Sequence, residues 1–449
     1  MSQRVIQVEE RLPLLQTLPL SLQHLFAMFG ATVLVPFLFK VNPATSLLMN
    51  GIGTLVYLIV SRGRIPAYLG SSFAFIAPTF AIMADPQLGG YAAAQGGFIA
   101  FGIFFIAVSQ LVRVAGIAWI DVVFPPAAMG AIVAVIGLEL APVAAQMAGL
   151  SGAIAEGSLF TAGQAITVSL ATLAVIVLSS VLLRGFLAVI PVLIGTVAGY
   201  AVSLAMGIVD LQAISQAAWF EPPHLYTPVF NATAIMVMAP AFLVVLAEHI
   251  GHLVVTGNIV GRDLVKDPGL DRSLLGDGIS NVLSGIAGAT PNTTYGENIG
   301  VMAITRVYSV WVIGGAAVIA VLISFCGKLA AMIRSIPTPV MGGVCLLLFG
   351  VIAAAGIRML IEKRVDYTQS RNLILTALVL ITGVSGAAIK LGTIELKGMA
   401  LGTVVSVVIS LGFAAFRKLG LMQEIAPAVL EVDPQPSDAT AAPPPPMVH

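Results

Sequence analysis

Apolar runs long enough to cross a lipid bilayer recur along this chain from Thr17 to Phe413, with few charges between them. A backbone inside hydrocarbon must satisfy its own N–H and C=O groups, so runs of this kind fold as helices packed on helices. Only 9% of the 449 residues are charged, against about 25% in a soluble globular chain. The sequence therefore predicts an all-α polytopic membrane protein. Basic and acidic residues balance, which removes the electrostatic basis for a nucleic-acid partner. Cys326 and Cys345 lie in or beside apolar spans without CxxC spacing, which argues against a disulfide framework or a cysteine metal site.

Span cores fall near 17–38, 44–61, 68–83, 96–112, 125–143, 165–183, 186–206, 233–256, 275–289, 295–305, 309–326, 337–356, 372–389 and 398–415, about fourteen in all. Two are too short or too broken for a plain span: Tyr68–Pro78 and Thr290–Thr305. With the N-terminus inside, every Lys and Arg except Lys40, Lys328, Arg334, Lys390 and Lys397 falls on the cytoplasmic side. The expected organisation is a cytoplasmic N-terminus (1–16), a first half (17–206), an external loop (207–232), a second half (233–416) and a cytoplasmic tail (417–449). The N-terminus is mixed polar and acidic rather than a cleavable leader. The Pro- and Ala-rich stretch from Asp433 reads as disordered, and 207–228 holds no Lys or Arg and no visible chemistry.

A faint repeat divides the spans. Phe124-Pro-Pro-Ala-Ala-Met-Gly130 is echoed by Ile336-Pro-Thr-Pro-Val-Met-Gly342, each opening an apolar span. Gln23-His24 stands in the first segment of one half and Glu248-His249 in the first segment of the other, and the broken segments are each third in their half. An odd number of spans per half gives the halves opposite orientation. Paired interrupted segments in an inverted repeat point to a midplane binding site in a secondary transporter.

Two carboxylates, Glu248 and Glu297, are sunk in this apolar sequence. An ionised group at the bilayer centre costs about 2.5–3.5 kcal/mol on insertion scales, so it faces a bundle interior and has work there. Glu248 and His252 are four residues apart, on one side of a helix, and a histidine exchanges charge near neutral pH. Pro291, Thr293, Thr294 and Gly296 before Glu297 suit extended backbone, tolerable at this depth only where it lines a cavity. The helix beyond would turn its N-terminal N–H groups toward that cavity. Ser71-Ser-Phe-Ala-Phe75 alternates small and aromatic residues as a short strand would, and Phe73 or Tyr295 offers a ring face. Glu-His-x-x-His at 248–252 differs from the His-Glu-x-x-His order of a zinc protease, and His249 reads as a packing residue. Glu139 reads as an interface acid without a direct role. The glycosylation patterns at Asn231 and Asn292 read as accidental. Two acids with free backbone N–H groups suit a planar neutral ring bearing alternating donors and acceptors, such as uracil, and would repel an anion.

At these residues the chain resembles the nucleobase/ascorbate transporter family, and most of all its bacterial uracil:proton symporters. The family signature, Gln, Glu or Pro followed by Asn-x-Gly-x4-Thr and a basic residue, is met by Glu297–Arg306. Ala-Glu-His-x-Gly-His at 247–252, Gly-Ser-Ser-Phe-Ala-Phe at 70–75 and Thr-Pro-Asn-Thr-Thr-Tyr-Gly-Glu-Asn at 290–298 match as well. The resemblance, from about Leu14 to Arg417, implies two inverted seven-span repeats, a core and a gate domain, and short antiparallel strands in segments 3 and 10. It implies that Glu248 and Glu297 bind uracil directly, that Phe73 and Gly296 add backbone contacts, and that Tyr295 lines the pocket. His252, with Glu248, would couple the proton; His24, Ser72, Thr294 and Asn298 would support the site. The proton is the coupling ion, and no cofactor or metal is implied. Expected further are a homodimer, a bacterial inner-membrane location with both termini cytoplasmic, and no enzymatic activity. Glu at 297, where purine and ascorbate members more often carry Gln, favours a pyrimidine. A purine permease and an uncoupled facilitator are the alternatives.

Overall fold

A computed structural model describes residues 5–154, 157–391 and 394–421; the tail from Asp433, expected to be disordered, lies outside them. The first half comprises α1 (Leu14–Ala27), α2 (Phe29–Leu38), α3 (Pro43–Val60), β1 (Leu69–Ser71), α4 (Ile76–Ala84), α5 (Gly90–Ala115), α6 (Ala118–Val123), α7 (Pro126–Glu139), α8 (Ala141–Met147), α9 (Ala162–Leu182) and α10 (Pro191–Ala205). After α11 (Gln212–Gln216) come α12 (Ala232–Val260), α13 (Leu270–Ala287), β2 (Asn292–Thr294), α14 (Gly296–Thr305), α15 (Val310–Ile323), α16 (Gly327–Arg334), α17 (Thr338–Glu362), α18 (Ser370–Val384), the hairpin β3 (Ala388–Leu391) and β4 (Ile394–Lys397), and α19 (Gly398–Lys418). Among the described residues, seven helical segments are long and apolar enough to cross a membrane, α7 and α8 counting as one. The α1–α2 pair, bent by 40°, makes an eighth.

Local chemistry fixes many boundaries. Asn42 accepts a hydrogen bond from the Ala44 amide at the start of α3, and Pro43 takes the first helical position, where no N–H is needed. Thr161 and Gln164 form a capping box on α9. Asn231, half of a glycosylation pattern, instead accepts from the amides of Thr233 and Ala234 and caps α12. Several runs are less regular than their apolar composition suggests. The 17–38 run breaks at Met28, the 125–143 run breaks at Leu140, and the 372–389 run gives way to β3.

The helices pack as two bundles. Helices α1–α5 gather with α12–α15, and α7–α10 gather with α17–α19. Contacts in the two halves correspond: α5 on α13 answers α15 on α3, α12 on α5 answers α1 on α15, and α18 on α7 answers α17 on α9. Close approaches follow the same rule. A β-carbon on Gly102 would stand 2.6 Å from the Gly278 carbonyl and one on Gly278 2.8 Å from that of Gly102, while at the related crossing Gly51 meets the Ala317 carbonyl at 2.6 Å. In the second bundle Gly130 and Gly356 face each other's carbonyls, and Gly342, the counterpart of Gly130 in the sequence repeat, sits against Met147 and Ala148. Glycine at these crossings brings helix backbones together where apolar driving force between helices is weak.

The 207–232 segment, whose residues 207–228 show no chemistry in the sequence, is a strap. Lys328 Nζ donates to the carbonyls of Ile214 and Ser215, and the Glu221 amide donates to Phe325. Beyond Pro222-Pro223, the Tyr226 amide bonds Ala287 O and the Val229 amide bonds Ala92 O, at the C-terminal end of α13 and the N-terminal end of α5.

Candidate functional site

The two broken segments meet. β1 and β2 pair antiparallel, with Leu69 opposite Thr294, Gly70 opposite Thr293 and Ser71 opposite Asn292. The Ser72 amide extends the ladder to the Pro291 carbonyl at 2.8 Å, and the Tyr295 amide reaches the Tyr68 carbonyl at 3.2 Å. The strands are three residues long because each chain then turns helical: Phe73–Phe75 forms one 3-10 turn leading into α4, and α14 begins at Gly296. The extended reading of 71–75 is thereby corrected; extension ends at Ser72. No side chain caps either helical start, so first-turn N–H groups remain as donors.

Around this crossing stand the two acids. Glu248 is half-buried on α12, and Glu297 is exposed in the first turn of α14. They lie within electrostatic range of each other, and no described side chain donates a hydrogen bond to either carboxylate. His252, one turn along α12 from Glu248, shares a 3.1 Å hydrogen bond between Nδ1 and Thr294 Oγ1. A β-carbon on Gly296 would lie 3.4 Å from its Nε2. Glu248, His252, Thr294, Gly296 and Glu297 are thus brought together.

The supporting residues fall around that group. Asn298 Nδ2 donates to His24 Nδ1 at 3.0 Å, tying α14 to α1 and leaving the ring proton of a neutral His24 on Nε2. Ser72 is fully buried, and its hydroxyl has no partner among the described residues. Tyr295 is 3% exposed; its hydroxyl donates to the Ser71 carbonyl at 2.8 Å. That ring, offered by the sequence for stacking, has one edge occupied by the strand backbone. Phe73 meets Phe349 of α17 edge to face at 6.3 Å between centroids, a contact from the first bundle to the second.

Sequence reasoning passed over the network behind the site. His249 Nδ1 faces Asp277 Oδ2 at 2.9 Å, and its Nε2 bonds Ser273 Oγ at 2.8 Å, which in turn meets the Tyr57 hydroxyl at 2.6 Å. Asn281 Nδ2 donates to Asp277 Oδ1 at 3.0 Å and to the Asn292 carbonyl at 3.0 Å, while Asn281 Oδ1 accepts from the Asn292 amide at 2.6 Å. Helix α12 is so linked through α13 to β2. His249 and His252 engage different partners, so the Glu-His-x-x-His spacing does not converge on one point. Glu139, half-buried, accepts from the Met399 amide at 2.9 Å and caps α19 in the second bundle.

A model of the Permease family matches residues 15–392. The uracil permease of Escherichia coli (strain K12) is 61% identical over 98% of this chain and 100% of its own length. That of Paenibacillus larvae is 58% identical over 93% and 99%, and that of Bacillus subtilis (strain 168) 46% over 87% and 91%. Among solved structures, the transmembrane domain of the cyanobacterial bicarbonate transporter BicA aligns over 91% of this chain and 100% of its own, with TM-score 0.57 at 16% identity. The murine Slc26a9 anion transporter aligns over 91% and 69%, with TM-score 0.65 at 11% identity. At these identities the likeness concerns fold alone.

Proposed function

The chain belongs to the permease family and is a membrane transporter rather than an enzyme; we propose that it imports uracil by proton symport. Uracil presents two ring N–H donors and two carbonyl acceptors. Glu248 and Glu297 accept from the N–H groups, and the uncapped starts at Phe73 and Gly296 donate amides to the carbonyls. The observation that supports this reading best is a pair of carboxylates, with no described side-chain donor, beside two uncapped helix starts. Charge-assisted hydrogen bonds to two carboxylates favour such a neutral donor ring over an anion. Relatives named as uracil permeases agree with that choice.

In this reading the described helices belong to about fourteen membrane segments in two inverted repeats. The bundle of α1–α5 and α12–α15 is the core, and α7–α10 with α17–α19 form the gate. Both termini face the cytoplasm of a bacterial inner membrane, and gate surfaces pair two copies. Protonation in the Glu248–His252 pair removes a charge before the core moves past the gate. One charge crossing 100 mV is worth about 2.3 kcal/mol, or roughly fifty-fold accumulation.

Labelled uracil uptake into proteoliposomes tests this. An inward proton gradient should drive accumulation above equilibrium, and unlabelled uracil should compete where xanthine does not. Equilibration without accumulation, or better competition by xanthine, would overturn the coupling or the cargo respectively.

A further inference from the structure

Two cavities meet on the Lys40–Arg334 side of the molecule, and neither is lined by Glu248 or Glu297. One, of about 350 Å³, is an apolar slot between α1–α3 and α10, closed by α15–α16; Phe29, Leu47, Thr196 and Ala330 line it. Its rim includes Val197, 61% exposed, and Met332, 45% exposed, so it opens sideways, toward what would be lipid. The other, of about 570 Å³, is polar and is lined by Lys40, Arg334, His224 and Glu221. The cavities share Pro43 and Ile333 as walls.

The charges at the polar end are not balanced locally. The Glu221 carboxylate lies against Gly327, at the N-terminus of α16, where partial positive charge holds it. Among the described residues neither Lys40 nor Arg334 has an ion-pair partner. An apolar slot opening toward acyl chains, continuous with a chamber carrying two uncommitted cations, has the polarity of an amphiphile with an anionic head. We propose that this is a binding site for one anionic phospholipid, its acyl chain in the slot and its phosphate between Lys40 and Arg334. The slot walls come from both bundles, so the lipid binds best in the arrangement that leaves the slot open. The site stands whether or not uracil is the cargo.

Native mass spectrometry of the delipidated full-length protein, titrated with phosphatidylglycerol or phosphatidylcholine, tests the site. One phosphatidylglycerol per protomer should bind, at least tenfold more tightly than phosphatidylcholine. Lys40→Ala with Arg334→Ala should abolish that preference, and Ala330→Phe should weaken both lipids; Val197→Trp at the rim gives a second way to block the slot. Cys326 lines the slot, whereas Cys345 is buried, so phosphatidylglycerol should slow labelling of Cys326 by an apolar maleimide several-fold in the wild type only. Equal affinity for the two lipids, or phosphatidylglycerol binding unchanged by the charge and slot variants, would overturn the proposal.

Discussion

The edge of the Tyr295 ring occupies the space into which a β-carbon on Gly70 would project, 2.3 Å from the nearest ring atom. Tyr295 is held there because its hydroxyl donates to the Ser71 carbonyl, one residue along the strand. Gly70→Ala must therefore displace either the ring or β1, at a cost of about 1–3 kcal/mol for overpacking a fixed site. A lower melting temperature and weaker uracil binding are expected, with the penalty reduced in a Tyr295→Leu background. Equal penalties in both backgrounds would show that the ring does not set the requirement.

Glu248→Gln and Glu297→Ala should each weaken uracil binding by at least about tenfold, the scale of one charge-assisted hydrogen bond. Both variants should remain folded, since no described side chain depends on either carboxylate for a hydrogen bond. Isothermal titration with purified protein reads the affinity, and gel filtration reads the fold. Unchanged affinity in both variants would remove these residues from the site.

What the sequence revealed depended on contrast. Glu248 and Glu297 were legible because a carboxylate stands out in an apolar run, and Gly296 and Thr294 because they interrupt one. Asp277 was passed over: it lies between two glycines in a span rich in serine, where a charge contrasts less. The signal was present in Ser273, Asp277, Asn281 and Ser284, spaced by three and four so that they form one buried helical stripe. The strap at 207–232 was illegible for another reason. Its anchors are the Lys328 side chain and backbone groups of α5, α13 and the α15–α16 turn, and no local pattern encodes partners so distant in sequence.

Ahead of α1, the N-terminal segment is bonded to the stretch that follows α14. The Ile6 amide donates to Arg306 O, the Tyr308 amide to Ile6 O and the Val310 amide to Val8 O. Glu9 pairs with Arg262, whose guanidinium holds the carboxylate below its ordinary range. A depressed carboxylate pKa contributes stability above the unfolded value of about 4.5, lost as pH falls through the folded one. Because both side chains are more than a third exposed, the pair is worth at most about 1 kcal/mol. A spin label at Val5 should gain mobility as pH drops below about 4.5 in the wild type, and should show no such step in Glu9→Gln. A step of equal size in both would separate the arm from this pair.

Asp277 offers the sharpest separation between holding the site and contacting substrate. Its carboxylate takes His249 on one oxygen and Asn281 on the other, and Asn281 in turn grips both backbone groups of Asn292 on β2. Asp277→Ala leaves His249 Nδ1 without its buried partner, while Asn281 Nδ2 keeps the carbonyls of residue 277 and Asn292; breaking such a buried pair costs about 3–5 kcal/mol. Asp277→Asn keeps the shape and one acceptor oxygen, so its cost should be nearer 1–3 kcal/mol. If the network acts by positioning β2, Asp277→Asn should lower both the melting temperature and uracil affinity, while the proton dependence of uptake persists. In Glu248→Gln, by contrast, affinity should fall with little change in melting temperature. An Asp277→Asn protein that melts normally, binds uracil normally and no longer responds to the proton gradient would place this carboxylate in proton transfer instead.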